Sequence, residues 1–314
     1  MKVKNITGIL AVAVLAAFSG SGCVTRTAES PYKVGLAQAS EKAVSQQPYR
    51  IEDVHLTFVS DPRKQYEAYE ERNKSFTMRL NGMLNGTDYA ANARAMKEQW
   101  EDALETMKIS AAPNFDVDED RMTMPMLAFY EGFLLGYTDE ELEELGLPEL
   151  KMDEENDVAR LSNIQQRRTR AEIAKGIFGA DVGNPDKLTA RLAGKYPGLF
   201  DENGRAVRLF VALWGSEATW QGQYSGGTDT DFSVGVWAMP SDKVYRAADK
   251  CPPPGHEFDA ARHHAFSVLG PTTKNRTYPQ DDSVTGSAED MQNFFMDRLC
   301  DSIVTAINKM VEEP

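Results

Sequence analysis

The chain has 314 residues, enough for a sizeable core and one or two domains. Its 48 acidic residues against 34 basic ones give a net charge of −14. That balance disfavours nucleic acid and anionic lipid headgroups as general partners, and it favours solubility.

The first predicted element is a leader. Lys2 and Lys4 precede Ile6 to Phe18 (ITGILAVAVLAAF), an uncharged and mostly apolar run of thirteen residues. Crossing the hydrocarbon core of a bilayer takes roughly 20 apolar residues, so this run is too short to span. A basic start, an apolar run and then Ser19-Gly20-Ser21-Gly22 follow the order of a secretory signal peptide. Residues Met1 to Cys23 resemble the signal of bacterial lipoproteins, which is cut just before a cysteine that carries the lipid. Gly22 and Ser21 match the small residues of that pattern, whereas Gly20 departs from it, since Leu is usual there.

The resemblance implies residues 1–22 as signal and Cys23 as the lipid-attachment site, with palmitate among the acyl chains. It also implies a periplasm-facing protein of the cell envelope anchored in the membrane. Val24 stands where an Asp retains such proteins in the inner membrane of enteric bacteria, which implies the outer membrane. Cleavage by ordinary signal peptidase after Ser19 or Ser21 is the alternative. Several acyl chains make a stable anchor where one binds only marginally. Without Lys2 and Lys4, 32 basic and 48 acidic residues leave the mature chain at −16.

Residues 23–47 are polar and small with no sustained period, and read as a flexible tether. One domain, 48–314, follows. Tyr49 to Val59 alternates Val54, Leu56 and Phe58 with polar partners and predicts a strand, although Ile51 falls out of phase. Asp61-Pro62 opens a helix to about Asn85, and Tyr89 to Lys108 predicts a second one. Met126 to Tyr137 (MLAFYEGFLLGY) is an apolar helix whose one charge is Glu131. Asp139 to Asp157 holds ten carboxylates against Lys151 alone, and the helix from Asn156 to Ile177 answers it with Arg167, Arg168 and Arg170. Residues of about 88–180 thus read as a helical insertion.

Lys187 to Lys195 is a short helix. Val207 to Trp214, Thr219 to Tyr224 and Phe232 to Met239 are three β-rich runs separated by Gly215-Ser216 and by SGGTDTD at Ser225 to Asp231. Such runs with short Gly-rich loops predict an antiparallel meander, with Ala265 to Leu269 as a further strand. Met291, Phe295, Leu299, Ile303, Ile307 and Met310 recur at helical spacing, so a C-terminal helix should cover the sheet. The expected fold is α+β: an antiparallel β-meander, including Tyr49 to Val59, packed by a C-terminal helix and carrying the helical insertion.

Motifs for chemistry are sparse. Cys251-PPPG-His256 followed by His263-His264 lacks zinc spacing, and a loop held by Cys251 explains it better than a metal site. Asp116-x-Asp118-x-Asp120 starts like an EF-hand loop, but Arg121 and Leu127 occupy its Gly and Glu positions. No G-x-S-x-G, H-E-x-x-H or P-loop pattern is present. We therefore expect no catalytic residue, no metal and no cofactor. With Cys23 on lipid, Cys251 and Cys300 are the one pair open to a disulfide in an oxidising periplasm, the alternative being two buried thiols.

Two functions of different class remain. One is a non-catalytic scaffolding or assembly role through contacts with an envelope protein partner, using Met126 to Tyr137 if that run is exposed. The other is glycan binding or cleavage on the meander, with Trp220 and Tyr224 on one strand face and Glu217 beside Asp229 or Asp231. Ordinary core packing under the C-terminal helix is the favoured explanation of these aromatics.

Overall fold

The computed structural model describes residues 48–111, 124–150, 154–221, 225–243, 255–268 and 288–312. The leader, the tether, Asp116 to Asp120, Tyr224 and Cys251 lie outside them. The fold is α+β, and among the described residues eight α-helices accompany one mixed sheet.

The sheet is built from β1 (Tyr49–Ser60), β2 (Arg205–Gln221), β3 (Ser225–Pro240) and β4 (Gly255–Val268), paired in that order. The antiparallel meander is β2 to β4. The expected antiparallel placement of Tyr49 to Val59 is corrected: β1 runs parallel to β2. Parallel neighbours need a long crossover, and the helices between Pro62 and Lys195 supply it.

A register shift between Ile51 and Asp53 explains why Ile51 is out of phase. One extra residue lets Ile51 join Val54 and Leu56 on the same face. Gly215-Ser216 does not divide β2 either. Gly215 pairs with Phe232 on one side and Ser60 on the other, so the ladder runs through it. The last strand starts earlier than expected and takes in His256, which pairs with Val236.

After β1 the chain forms three helices: α1 (Pro62–Lys74), α2 (Phe76–Leu84) and α3 (Tyr89–Ala111). The single helix expected up to Asn85 is broken at Ser75, whose hydroxyl accepts from Met78 N and caps α2. Asp88 Oδ1 accepts from Ala90 N and Ala91 N, both at 3.0 Å, and opens α3. Helices α1 and α3 pack chiefly on each other, with α1 also touching β2. Together α1 to α3 form an arm with α2 at its tip.

Next come α4 (Met124–Phe129), a π-helix (Tyr130–Leu134), α5 (Asp139–Leu145), α6 (Glu154–Phe178), a 3₁₀ turn (Ala180–Gly183) and α7 (Pro185–Lys195). Thr138 and Glu141 form a capping box on α5, where three carboxylates in the first turn suit the helix dipole. The C-terminal helix α8 (Ala288–Glu312) packs on β3 and β4.

Both faces of the sheet are covered at Val207 to Trp214 of β2, a stretch whose one charged residue is Arg208. On one face Val207, Leu209, Val211 and Leu213 meet Phe178, Leu188, Leu299 and Ile303. On the other, Phe210, Ala212, Trp214 and Trp237 meet Leu127, Phe129, Tyr130 and Phe133.

Candidate functional site

A buried polar cluster forms where β1, β2 and α5 meet under the π-helix. The π-helix is itself a product of close packing. A Cβ on Gly132 would lie 2.3 Å from Thr57 Cγ2 of β1, and one on Gly136 would lie 2.5 Å from the Gly132 carbonyl oxygen. Only glycine lets the helix approach the strand this closely. The widened turn is closed by Leu135 N donating to Tyr130 O at 2.8 Å. It carries the chain to Tyr137, above His55.

His55 stacks on Phe210 with ring centroids 5.1 Å apart. Its Nδ1 lies 2.8 Å from Tyr137 Oη, and its Nε2 lies 4.0 Å from Asp53 Oδ2. The carboxylate favours a proton on Nε2, so Tyr137 donates its hydroxyl proton to Nδ1. Arg208 Nε lies 3.9 Å from the same Asp53 oxygen, and its Nη1 donates to Leu145 O at 2.8 Å. Arg167 sits over the Tyr137 ring at 4.4 Å and pairs with Glu141 at 2.8 Å. Arg160 donates through Nε and Nη2 to Tyr137 O and pairs with Asp139 at 2.5 Å.

The electrostatics keep both groups of the His55–Tyr137 pair neutral. Burial pushes His55 down to about 4; Asp53 opposes this, and Arg208 and Arg167 add to it. Burial pushes the Tyr137 hydroxyl up to about 12. A general base works best when poised near the ambient pH, and a nucleophile needs a lowered pKa. Both groups are displaced the other way. What the arrangement does is clamp α5: Arg160, Arg167 and Arg208 hold the segment from Gly136 to Leu145 between α6 and the sheet.

Of the residues singled out in the sequence, those of the meander fall at neighbouring register positions of β2, β3 and β4, whereas Trp214, Trp237 and Cys300 lie in the core. Trp220 is opposite Gly227 and Glu217 opposite Thr230 in the β2–β3 hairpin, with Asp229 and Asp231 across from Ala218 and Ser216. Tyr224 lies outside the described residues. Trp214 and Trp237 are core residues. His263 and His264 are opposite Thr230 and Asp229. Cys300 is buried in α8, and as a thiol it is pushed up to about 11 by burial, while Cys251 lies outside the described residues.

The run Met126 to Tyr137 is not a contact surface. Leu127 to Tyr130 and Phe133 to Leu135 are buried against Phe210, Trp214 and Trp237. An apolar run with one charge is what a helix under a sheet requires.

Exposed large apolar side chains occur instead at Val158 and Leu161 of α6 and, as a larger group, on α2. Phe76 is 71%, Met83 72% and Leu84 77% exposed, with Leu80 at 45%. These residues fall at i, i+4, i+7 and i+8, a single helical face. Gly82 lies on the opposite side and packs on Tyr89, whose Cε2 a Cβ there would approach to 2.5 Å. Gly82 is the buried residue of this helix; Thr77, Met78 and Arg79 are exposed along with the apolar face. Sequence reasoning missed it because periodicity shows that a face is apolar without showing which way it points. The Ser75 cap and the tight turn at Gly86 were the available signals of a short, separate helix. Comparison with protein-family models, curated proteins and solved structures gives no match.

Proposed function

We propose that this chain is a lipid-anchored protein of the bacterial cell envelope, held by Cys23 at the outer membrane and facing the periplasm. Its role is non-catalytic scaffolding or assembly through contact with an envelope protein. The observation that supports contact as its mode of action is the arm. Helices α1 and α3 pack chiefly on one another and end in a helix whose apolar face points away from the fold. Folding stability does not call for such a face; exposed apolar side chains grouped on one surface mark sites of association.

Photo-crosslinking in intact cells tests this. A photoreactive residue in place of Glu98 or Glu101 on α3 should give a discrete protein adduct. The same residue in place of Asp186 or Lys187 on α7, on the far side of the sheet, should give none. Equal labelling from both helices, or none from either, would count against the arm as the contact element.

A further inference from the structure

We propose that the meander binds an extended β-linked glycan across the row Trp220–Gly227–Phe266, in which the strand register sets two aromatics on one face with a glycine between them. This binding function is additional to contact through the arm and does not depend on the anchor at Cys23.

The face is the first observation. The β2–β3 ladder runs from Val207 to Gln221 without a register shift, so alternation along β2 is kept to its end. Val207, Leu209, Val211 and Leu213 share a cluster with Leu299 and Ile303 of α8. Trp220 falls on the alternate face, that of Phe210, Ala212 and Trp214. Packing under the C-terminal helix, which the sequence favours as the explanation, does not account for Trp220.

The row itself is the second. Trp220 pairs with Gly227 across β2 and β3, and Gly227 pairs with Phe266 across β3 and β4. Residues paired across strands share a face. Two strand spacings put the aromatic positions about 10 Å apart. An extended β-1,4-linked chain turns over at each sugar, so like faces recur at every second ring, a disaccharide apart. The row has that span, one aromatic for a sugar and the other for the next but one. Glycine weakens a strand interior, and its presence there often marks close approach of a ligand to the backbone. Gly227 leaves the middle of the row without a side chain.

The third is the polar setting. The next row on the same face is Ala218, Asp229 and His264, followed by Ser216 and Asp231. Strand β1 ends at Ser60, opposite Gly215, so these rows belong to an extension made of β2 to β4. Carboxylates and an imidazole do not continue the apolar layer of Phe210, Ala212 and Trp214. A sugar ring offers apolar C–H faces and a rim of hydroxyls. Two aromatics beside a carboxylate and an imidazole provide for both.

The test is calorimetric titration of the full chain with cello- and chito-oligosaccharides of two, three and six sugars. Three sugars are the fewest that reach both aromatic positions. The trimer should therefore bind at least tenfold more tightly than the dimer, and α-linked maltohexaose should not bind. Binding confined to the chito series would support a site that reads acetamido groups, and binding of both series one that reads the rings. Trp220→Ala and Phe266→Ala should each weaken the hexamer at least tenfold. Gly227→Val places a side chain between the aromatics. Valine suits a strand, so the urea midpoint should hold or rise while hexamer affinity falls at least tenfold.

No binding of any oligosaccharide, equal affinity for dimer and trimer, or equal affinity for maltohexaose would overturn the inference. Unchanged hexamer binding by Gly227→Val would also overturn it, and would leave the aromatics as cover for a strand glycine. None of these outcomes bears on the arm or the anchor, so failure here is distinct from failure of either.

Discussion

Replacing His55 with Gln should change how the fold responds to acid. The His55 side chain is 16% exposed, stacked on Phe210 and bonded to Tyr137. Burial holds it at about 4 in place of 6.5. As pH falls below 6.5, the unfolded chain takes up a proton at this position before the folded chain does. The unfolded state therefore binds more protons between pH 6.5 and pH 4, and the folded state loses stability throughout that window. Relative to pH 7.5, the loss from this one group is about 2 kcal/mol at pH 5 and about 3 kcal/mol at pH 4.

Gln cannot titrate there. At pH 7.5 His55→Gln should cost about 1–2 kcal/mol through the lost stack and hydrogen bond. Urea unfolding followed by the fluorescence of buried Trp214 and Trp237 measures both proteins at each pH. Taking the difference cancels the titration of groups outside the cluster. The gap between wild type and variant should narrow by about 2 kcal/mol from pH 7.5 to pH 5, and then close or invert. A gap that stays constant over that range would refute the claim that burial keeps His55 neutral.

Other consequences can be checked by the same unfolding assay. Gly132→Ala forces a methyl group against Thr57 and should cost about 1–3 kcal/mol, with the loss relieved in part by pairing it with Thr57→Ser. Arg160→Met removes the donors to the Tyr137 carbonyl and the pair with Asp139, and should cost about 2 kcal/mol. Arg167→Met, at a more open position, should cost less than about 1 kcal/mol from its ion pair with Glu141. Cys300 should resist alkylation in the folded, reduced protein and react once urea opens the core, because it is buried and its thiol is raised to about 11.

Some of this fold was legible because short-range patterns carried it. The stripe from Phe295 to Ile307 faces the sheet as its spacing requires, and the β-rich runs lie in the meander, but both expected Gly-rich separators, Gly215-Ser216 and Ser225 to Asp231, are strand residues of β2 and β3. The direction of β1 was not legible, since it depends on where a crossover of more than a hundred residues returns the chain. Gly215 reads as a break, yet two neighbouring strands supply its hydrogen bonds. The cluster at His55 joins residues from β1, β2, α5 and α6 that lie up to 155 positions apart, between Asp53 and Arg208, and no local pattern connects them. Met126 to Tyr137 is almost wholly apolar and Phe76 to Leu84 mixes Phe, Met and Leu with Thr77, Arg79 and Asn81, yet each carries an apolar helical face. Only packing decides that the first is core and the second is surface.

The most direct test of the central claim is the intact mass of the protein extracted from the cell envelope, together with the identity of its first residue. The mature chain should begin at Cys23 and carry the added mass of its acyl chains, with the unprocessed chain accumulating when Cys23 is changed to Ala. An unmodified chain beginning at Gly20 or Gly22, or one unaffected by Cys23→Ala, would contradict it.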